Sequence, residues 1–248
     1  LPSVLLSTEV RSRGLSVNDT RSEFLEPEII FEDPNLMVLN KPAGLLSQGE
    51  HTGDANLVDW LRVRFGRPYV GLVHRLDRNT SGIMVVAKRS KAAERLTRAL
   101  QEGLLDRTYL AWIEGKFIST PDVGTRLEHF LTKDPKTNKV HAAKTQATAH
   151  ADAKRAVLFV TTKETRAYAG TPITLVHIRL ETGRSHQIRA QLAALGYPIL
   201  GDPKYGSHHP EFGRPALHSY TIRFPHPIGG AIHEYTASPP EDFRRLST

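Results

Sequence analysis

The chain has 248 residues, 39% hydrophobic and 24% charged, and 33 Lys and Arg against 26 Asp and Glu give a net charge of +7. This composition excludes a disordered chain, and no apolar run approaches the roughly 18 residues of a membrane-spanning helix. The absence of cysteine excludes disulfides and thiolate metal sites and fits a reducing, cytoplasmic setting, while the basic balance predicts an anionic partner, most commonly nucleic acid.

Residues 1–27 are rich in Ser, Arg and Glu with little periodicity, and read as a mobile lead-in. They lack an initiator Met and the pattern of a signal peptide. Residues 28–248 read as one domain without internal repeats. Ile29–Phe31 and Leu36–Leu39 flank the turn sequence Asp33-Pro34-Asn35 and predict a hairpin, ended by Lys41-Pro42-Ala43-Gly44. Lys41 reads as a phosphate contact or as a solvated lysine. Residues 54–65 predict a helix, because Leu57, Trp60, Leu61 and Phe65 recur at spacings of three and four and Gly66 suits the position past its end. Trp60 reads as core rather than as a stacking platform for a base.

His74-Arg75-Leu76-Asp77-Arg78-Asn79-Thr80-Ser81-Gly82 places one carboxylate among two arginines and a histidine. The apolar run Ile83–Ala87 that follows predicts a buried strand, so Asp77 stands where an irregular segment meets the core. If this segment is extended, Arg75 and Asp77 point to one side. Cationic neighbours favour an ionised carboxylate. Asp77 is therefore a candidate nucleophile or fixed anion, or one half of a structural Asp–Arg pair.

A helix is predicted from a cap at Ser90 to Gly103, with Ala93, Leu96 and Leu100 inward and Lys91, Arg95 and Arg98 as a basic outer stripe. Such a stripe tracks a phosphate backbone or is merely a solvated face. Arg107–Glu114 alternates as a strand carrying Tyr109, whereas residues 119–150, with Lys133, Lys136, Lys139 and Lys144, read as a polar, mobile segment. Strands are predicted at 156–160 and 173–180, and Arg184 follows at the junction to a helix beginning near Ser185. Ile188, Leu192 and Leu195 face inward on that helix, and Gly196 closes it. Residues 201–206 read as a loop, and 216–224 and 233–237 as strands. Strands outnumber helices without alternating with them, which predicts an α+β fold with a mixed, mostly antiparallel central sheet flanked by helices and loops. The twelve histidines, His208, His209, His218 and His226 among them, show no ligand spacing and read as scattered surface residues, so no metal is expected. No phosphate-binding loop, dinucleotide fingerprint or Gly-x-Ser-x-Gly elbow is present, so no cofactor is expected.

The 74–82 block resembles the HRLDxxTSG signature of the RluA-type family of RNA pseudouridine synthases. Lys41–Gly44, Arg107-Thr108-Tyr109, Leu180–Arg189, Gly201–Gly206 and Leu217-His218 are similar to further blocks of that family in the same order, over about residues 28–238. Asn79 and Ser185 are mild departures from the pattern. The resemblance implies a catalytic domain that isomerises uridines of tRNA or ribosomal RNA without cofactor. Asp77 would be catalytic, Arg184 its basic partner and Tyr109 the ring that stacks on a flipped-out base. Arg75, His74, Lys41 and Arg189 would meet RNA, along with the Lys91–Arg95–Arg98 stripe. Ile83 and Ile188 would line the pocket or simply pack in the core. A monomer is expected. The competing reading is a non-catalytic RNA-binding protein on the same fold.

Overall fold

Strand β4 (Ser81–Ala87) is buried along its whole length, and this decides how the sheet is layered. Met84 and Val86 pack with Leu57 and Leu61 of helix α1 (Leu57–Phe65) on one face. Ile83, Val85 and Ala87 pack with Ala92 and Leu96 of helix α2 (Ser90–Gln101) on the other. A strand covered on both faces loses the alternation of polar and apolar residues, as this run does. Each large side chain so buried contributes roughly 1.5–3 kcal/mol. The computed structural model describes residues 25–50 and 53–247, so most of the expected lead-in, residues 1–24, lies outside the described residues.

The predicted hairpin is β1 (Glu28–Glu32) and β2 (Leu36–Lys41), closed by the Asp33 carboxylate, which accepts from the backbone N–H of Asn35 and of Leu36 at 2.7 Å. The remaining strands are β3 (Gly71–Leu72), β5 (Asp106–Glu114), β6 (Thr125–Asp134), β7 (Lys139–Ala143), β8 (Lys154–Tyr168), β9 (Thr171–Leu180), β10 (Leu217–Pro225) and β11 (Ile232–Thr236). They form one sheet in the order β1-β2-β4-β10-β5-β9-β8-β6-β7, with β3 beside β4 and β11 beside β10. Only β4 and β10 pair in parallel among the described strands. The fold is therefore α+β with the mixed, mostly antiparallel sheet that the sequence predicts.

The β4–β10 pairing depends on Gly82. Its φ is +119°, and a Cβ there would lie 2.2 Å from the Ser219 carbonyl oxygen, so only glycine lets the two backbones approach. Ser81 and His218 lie opposite each other in this pair. His218 Nε2 donates to the Ala237 carbonyl at 2.9 Å, which leaves Nδ1 to accept from the Ser81 hydroxyl at 2.9 Å.

Several expectations are corrected. Residues 119–150 are not a mobile segment: they contain the β6–β7 hairpin, in which Leu127, His129 and Leu131 alternate into the core. Of the lysines that suggested a loop, Lys133 stands near the exposed end of β6, Lys136 in the turn, where Asp134 accepts from its N–H and from the Thr137 hydroxyl, Lys139 at the start of β7 and Lys144 just past its end. Helix α1 starts at Leu57 rather than 54, because the Asn56 side chain caps it by accepting from Asp59 N at 3.1 Å. Ser90 does not cap α2; Arg89 holds that position without capping it through its side chain, which donates instead to the Pro34 carbonyl, and Ala92, Leu96 and Ala99 are the buried residues. Helix α3 (Gln187–Ala194) starts two residues later than expected, because His186 takes a left-handed φ of 49°. The histidines are not all superficial: His74, His129, His209 and His218 are buried.

Candidate active site

The loop before β4 is pinned from behind by the segment that links β2 to α1. Lys41 is fully buried, and its Nζ donates to the carbonyls of Pro42 (2.9 Å), Leu45 (2.8 Å) and Arg78 (3.1 Å). Gly44 N donates to the same Arg78 carbonyl at 2.9 Å. Ser47 Oγ donates to the Leu76 carbonyl at 2.7 Å and accepts from Leu76 N at 3.2 Å. Burial pulls the Lys41 ammonium down to about 7, against the opposing pull of the Asp77 charge. Lys41 is thus neither solvated nor a phosphate contact; it ties its own segment to the Arg78 carbonyl just after Asp77, while Ser47 holds Leu76 just before it.

Asp77 presents its carboxylate, 29% exposed, to a cavity. Its partner is Arg189, whose Nη1 donates to Asp77 Oδ2 at 2.9 Å. The same guanidinium grips Asp202, donating from Nε to Oδ2 at 2.7 Å and from Nη2 to Oδ1 at 2.8 Å. Its carbon also lies 4.9 Å from the centre of the Tyr205 ring. Burial works against the charge on Arg189, but the bonds and charges of Asp202 and Asp77 raise its pKa further than burial lowers it. Bidentate pairing of this kind fixes orientation as well as charge. Asp202 is 1% exposed, and with both oxygens engaged it is not available as a second acid.

His186 sits beside this pair. The Tyr205 hydroxyl accepts from Val140 N at 2.8 Å and is hydrogen-bonded with His186 Nδ1, 2.9 Å away. Its Nε2 lies 3.7 Å from Asp77 Oδ2. Burial lowers the His186 pKa, opposed by the Asp77 charge. A left-handed non-glycine residue at a cavity wall is the kind of strain that clusters at functional sites.

The opposite wall comes from β5. Tyr109 is buried at the cavity, and burial raises its pKa, so it is a neutral ring. Two residues earlier on the same face, Arg107 also lines the cavity and is only 7% exposed. Leu180, Ile188 and Leu217 supply apolar surface. Ile188 therefore reaches the cavity, whereas Ile83 belongs to the core on the α2 side. The cavity shares Asp77, Arg107 and Arg184 with an open groove of about 1030 Å³ that Arg75, Arg78, Lys133 and Lys204 also line.

The predicted site residues thus divide. Asp77, Tyr109, Arg75, Arg184 and Arg189 all line the cavity. Arg184 is not the partner of Asp77, however; it is exposed, and its Nε donates to the Arg155 carbonyl at 3.2 Å. The Thr182–Arg184 turn is held by Gln187, whose Oε1 accepts from the Thr182 hydroxyl and from Arg184 N. Arg189, expected to meet RNA, is the buried residue that takes the partner's place one helical turn later. His74 is buried as well: its Nε2 accepts from Val85 N at 3.1 Å, and burial first, then the Arg107 charge, lowers it to about 3. A neutral, enclosed imidazole is a strut of the loop, not an RNA contact. Lys91, Arg95 and Arg98 are exposed, but Arg95 donates to the Pro227 carbonyl and Arg98 pairs with Glu94 at 3.1 Å. His186, Asp202 and Arg107 were missed as site residues, although each lies inside a block that the sequence analysis singled out.

Residues 35–194 match the RNA pseudouridylate synthase family. Among curated proteins, the ribosomal large subunit pseudouridine synthase D of Nitrosomonas europaea is 32% identical, covering 94% of this chain and 68% of that protein. An uncharacterized RNA pseudouridine synthase of Bacillus subtilis is 34% identical, covering 92% of this chain and 74% of that protein. Among solved structures, human RNA pseudouridylate synthase domain containing 1 is similar with a TM-score of 0.72 and 25% identity, covering 87% of this chain and 84% of that one.

Proposed function

The chain belongs to the RNA pseudouridylate synthase family and is an isomerase acting on uridine in RNA, and from that premise we propose that its substrate is large-subunit ribosomal RNA and that Asp77 is its catalytic residue. The observation that carries the catalytic assignment is the single available carboxylate of the cavity, held at 2.9 Å by a guanidinium that a second, buried carboxylate anchors. The ribosomal reading is supported by the names of relatives that match over nearly the whole chain.

The reaction breaks the bond between C1′ of the ribose and N1 of uracil, turns the base and rejoins it through C5. The departing uracil delocalises its own negative charge and has to stay bound, so a second carboxyl acid and a water, which a glycosidase requires, serve no purpose. Asp77 either attacks C1′ or takes the 2′ proton; both routes need the carboxylate at a fixed position, and Arg189 holds it there at 2.9 Å. The target base has to leave its stack to reach such a cavity. The neutral Tyr109 ring at the wall offers a stacking surface, a contact contributing on the order of 1–3 kcal/mol.

The test is tritium release from transcripts labelled at uridine C5, with large-subunit ribosomal RNA and mixed tRNA in separate reactions. Wild type is expected to release tritium from the ribosomal transcript, and Asp77→Asn from neither while still binding RNA. Release from tRNA alone would refute the substrate reading, and release by Asp77→Asn would refute the residue.

A further inference from the structure

Arg107 is a charged side chain buried at the cavity wall with nothing to hold. It is 7% exposed, no carbonyl, carboxylate or hydroxyl among the described residues accepts from its guanidinium, and its Nε is enclosed without a partner. The other arginine buried at this cavity, Arg189, has three such bonds. An enclosed cation without a counter-charge is costly, and proteins rarely keep one that has no ligand to meet.

Two neighbours point the same way. Gly183 makes room for the group: a Cβ there would lie 2.8 Å from Arg107 Nη1 and 3.1 Å from Nη2. His74, close enough for the Arg107 charge to lower its pKa, has its Nε2 occupied as an acceptor, so its remaining hydrogen is on Nδ1, and that atom too lacks a partner. Two buried donor groups without acceptors, both lining the open groove, therefore lie near one another. Arg107 is two residues from Tyr109 on the same face of β5, roughly 6–7 Å along the strand. That is the scale of the step from a stacked base to its own backbone phosphate.

We propose that Arg107 is a substrate-binding residue that takes a phosphodiester flanking the flipped uridine, the RNA supplying the missing counter-charge. A guanidinium fork matches two phosphate oxygens, and the charge of a phosphodiester offsets the buried cation where the neutral carbonyls of uracil do not. The residue acts in binding and placing the nucleotide, and Asp77 acts on its ribose. This inference rests on the reading of the protein as an RNA-uridine isomerase.

The experiment uses the full chain and a synthetic RNA stem-loop on which wild type forms pseudouridine, in three versions: unmodified, and with a neutral methylphosphonate on the 5′ or the 3′ side of the target uridine. One methylphosphonate is expected to weaken wild-type binding roughly ten- to hundredfold, as loss of a charge-assisted bond does, and to leave Arg107→Gln indifferent. Arg107→Gln is expected to flatten the slope of log K against log salt by about 0.7 for single-stranded contact. Its RNA-free melting temperature is expected to stay level or rise, because an uncompensated charge has been removed; a purely structural arginine would lower it. Gly183→Ala, which keeps the charge and displaces the guanidinium, should weaken binding in the same direction and serves if Arg107→Gln does not fold. Equal sensitivity of wild type and Arg107→Gln to both methylphosphonates, or an unchanged salt slope, would overturn the proposal. Failure of wild type to convert the unmodified RNA would instead overturn the isomerase reading beneath it.

Discussion

Arg189 and Arg107 are buried to nearly the same degree, 9% and 7% exposed, on two walls of one cavity. The α3 wall is saturated: Arg189 is locked by Asp77, Asp202 and the Tyr205 ring before any substrate arrives. The β5 wall has none of this, and Arg107 stands without an acceptor. The contrast separates two uses of a buried charge. A satisfied pair sets the position of a reacting group and needs nothing further, whereas an unsatisfied cation spends folded-state stability in readiness for an anion.

The largest effect expected from breaking this contrast is at the saturated wall. Arg189→Gln strips the partner from two carboxylates at once, one of them 1% exposed. Removing one member of a buried pair costs about 3–5 kcal/mol, so denaturant melts should show a loss of that order together with a collapse of kcat. A variant as stable as wild type would mean that the saturated wall is not a structural unit.

A smaller effect, in pH rather than in catalysis, comes from the two enclosed imidazoles that support the wall and the sheet beside it. Burial lowers His74 to about 3 and His218 to about 4, from an ordinary value near 6.5. The unfolded chain therefore binds protons that the folded chain refuses. Their contribution to stability is fully present above pH 6.5 and is lost as pH falls toward the folded values. Urea melts from pH 7 to 4.5 should show stability falling with acidification, and His74→Gln should flatten that slope; an unaltered slope would show that His74 is not enclosed in solution.

Arg184→Gln is expected to change least. The residue is exposed and held by one backbone carbonyl, so its stability should stay within about 0.5 kcal/mol of wild type, with RNA binding weakened only a few-fold. If it instead matched Arg189→Gln in kcat, the assignment of the carboxylate's partner would have to be exchanged between the two.

The Arg184 and Arg189 assignments show where sequence reading stops. Both lie in one block, five residues apart. The signature marks the block, but which guanidinium reaches Asp77 depends on where α3 begins. The left-handed His186 delays that start by two residues and turns Arg189 inward. Lys41 and His74 were likewise legible as part of the pattern and illegible as to role. A lysine looks solvated until three carbonyls are seen to converge on it, and those come from Pro42, Leu45 and the distant Arg78. The β6–β7 hairpin was hidden because Lys133, Lys136 and Lys139, with Pro135 and Asn138, dominate the stretch between its buried residues Leu131 and Val140.

The sequence by itself determined the family, the α+β class and most of the strands, and marked Asp77 and Tyr109 as candidates that the fold then brings to one cavity, because apolar periodicity and motif order are local properties written along the chain. Only the tertiary structure decided that Arg189 holds Asp77, that Asp202 anchors Arg189, and that Arg107 is enclosed without an acceptor. Those facts are sums over groups up to 112 residues apart, and whether a buried charge is paired depends on which elements converge around it.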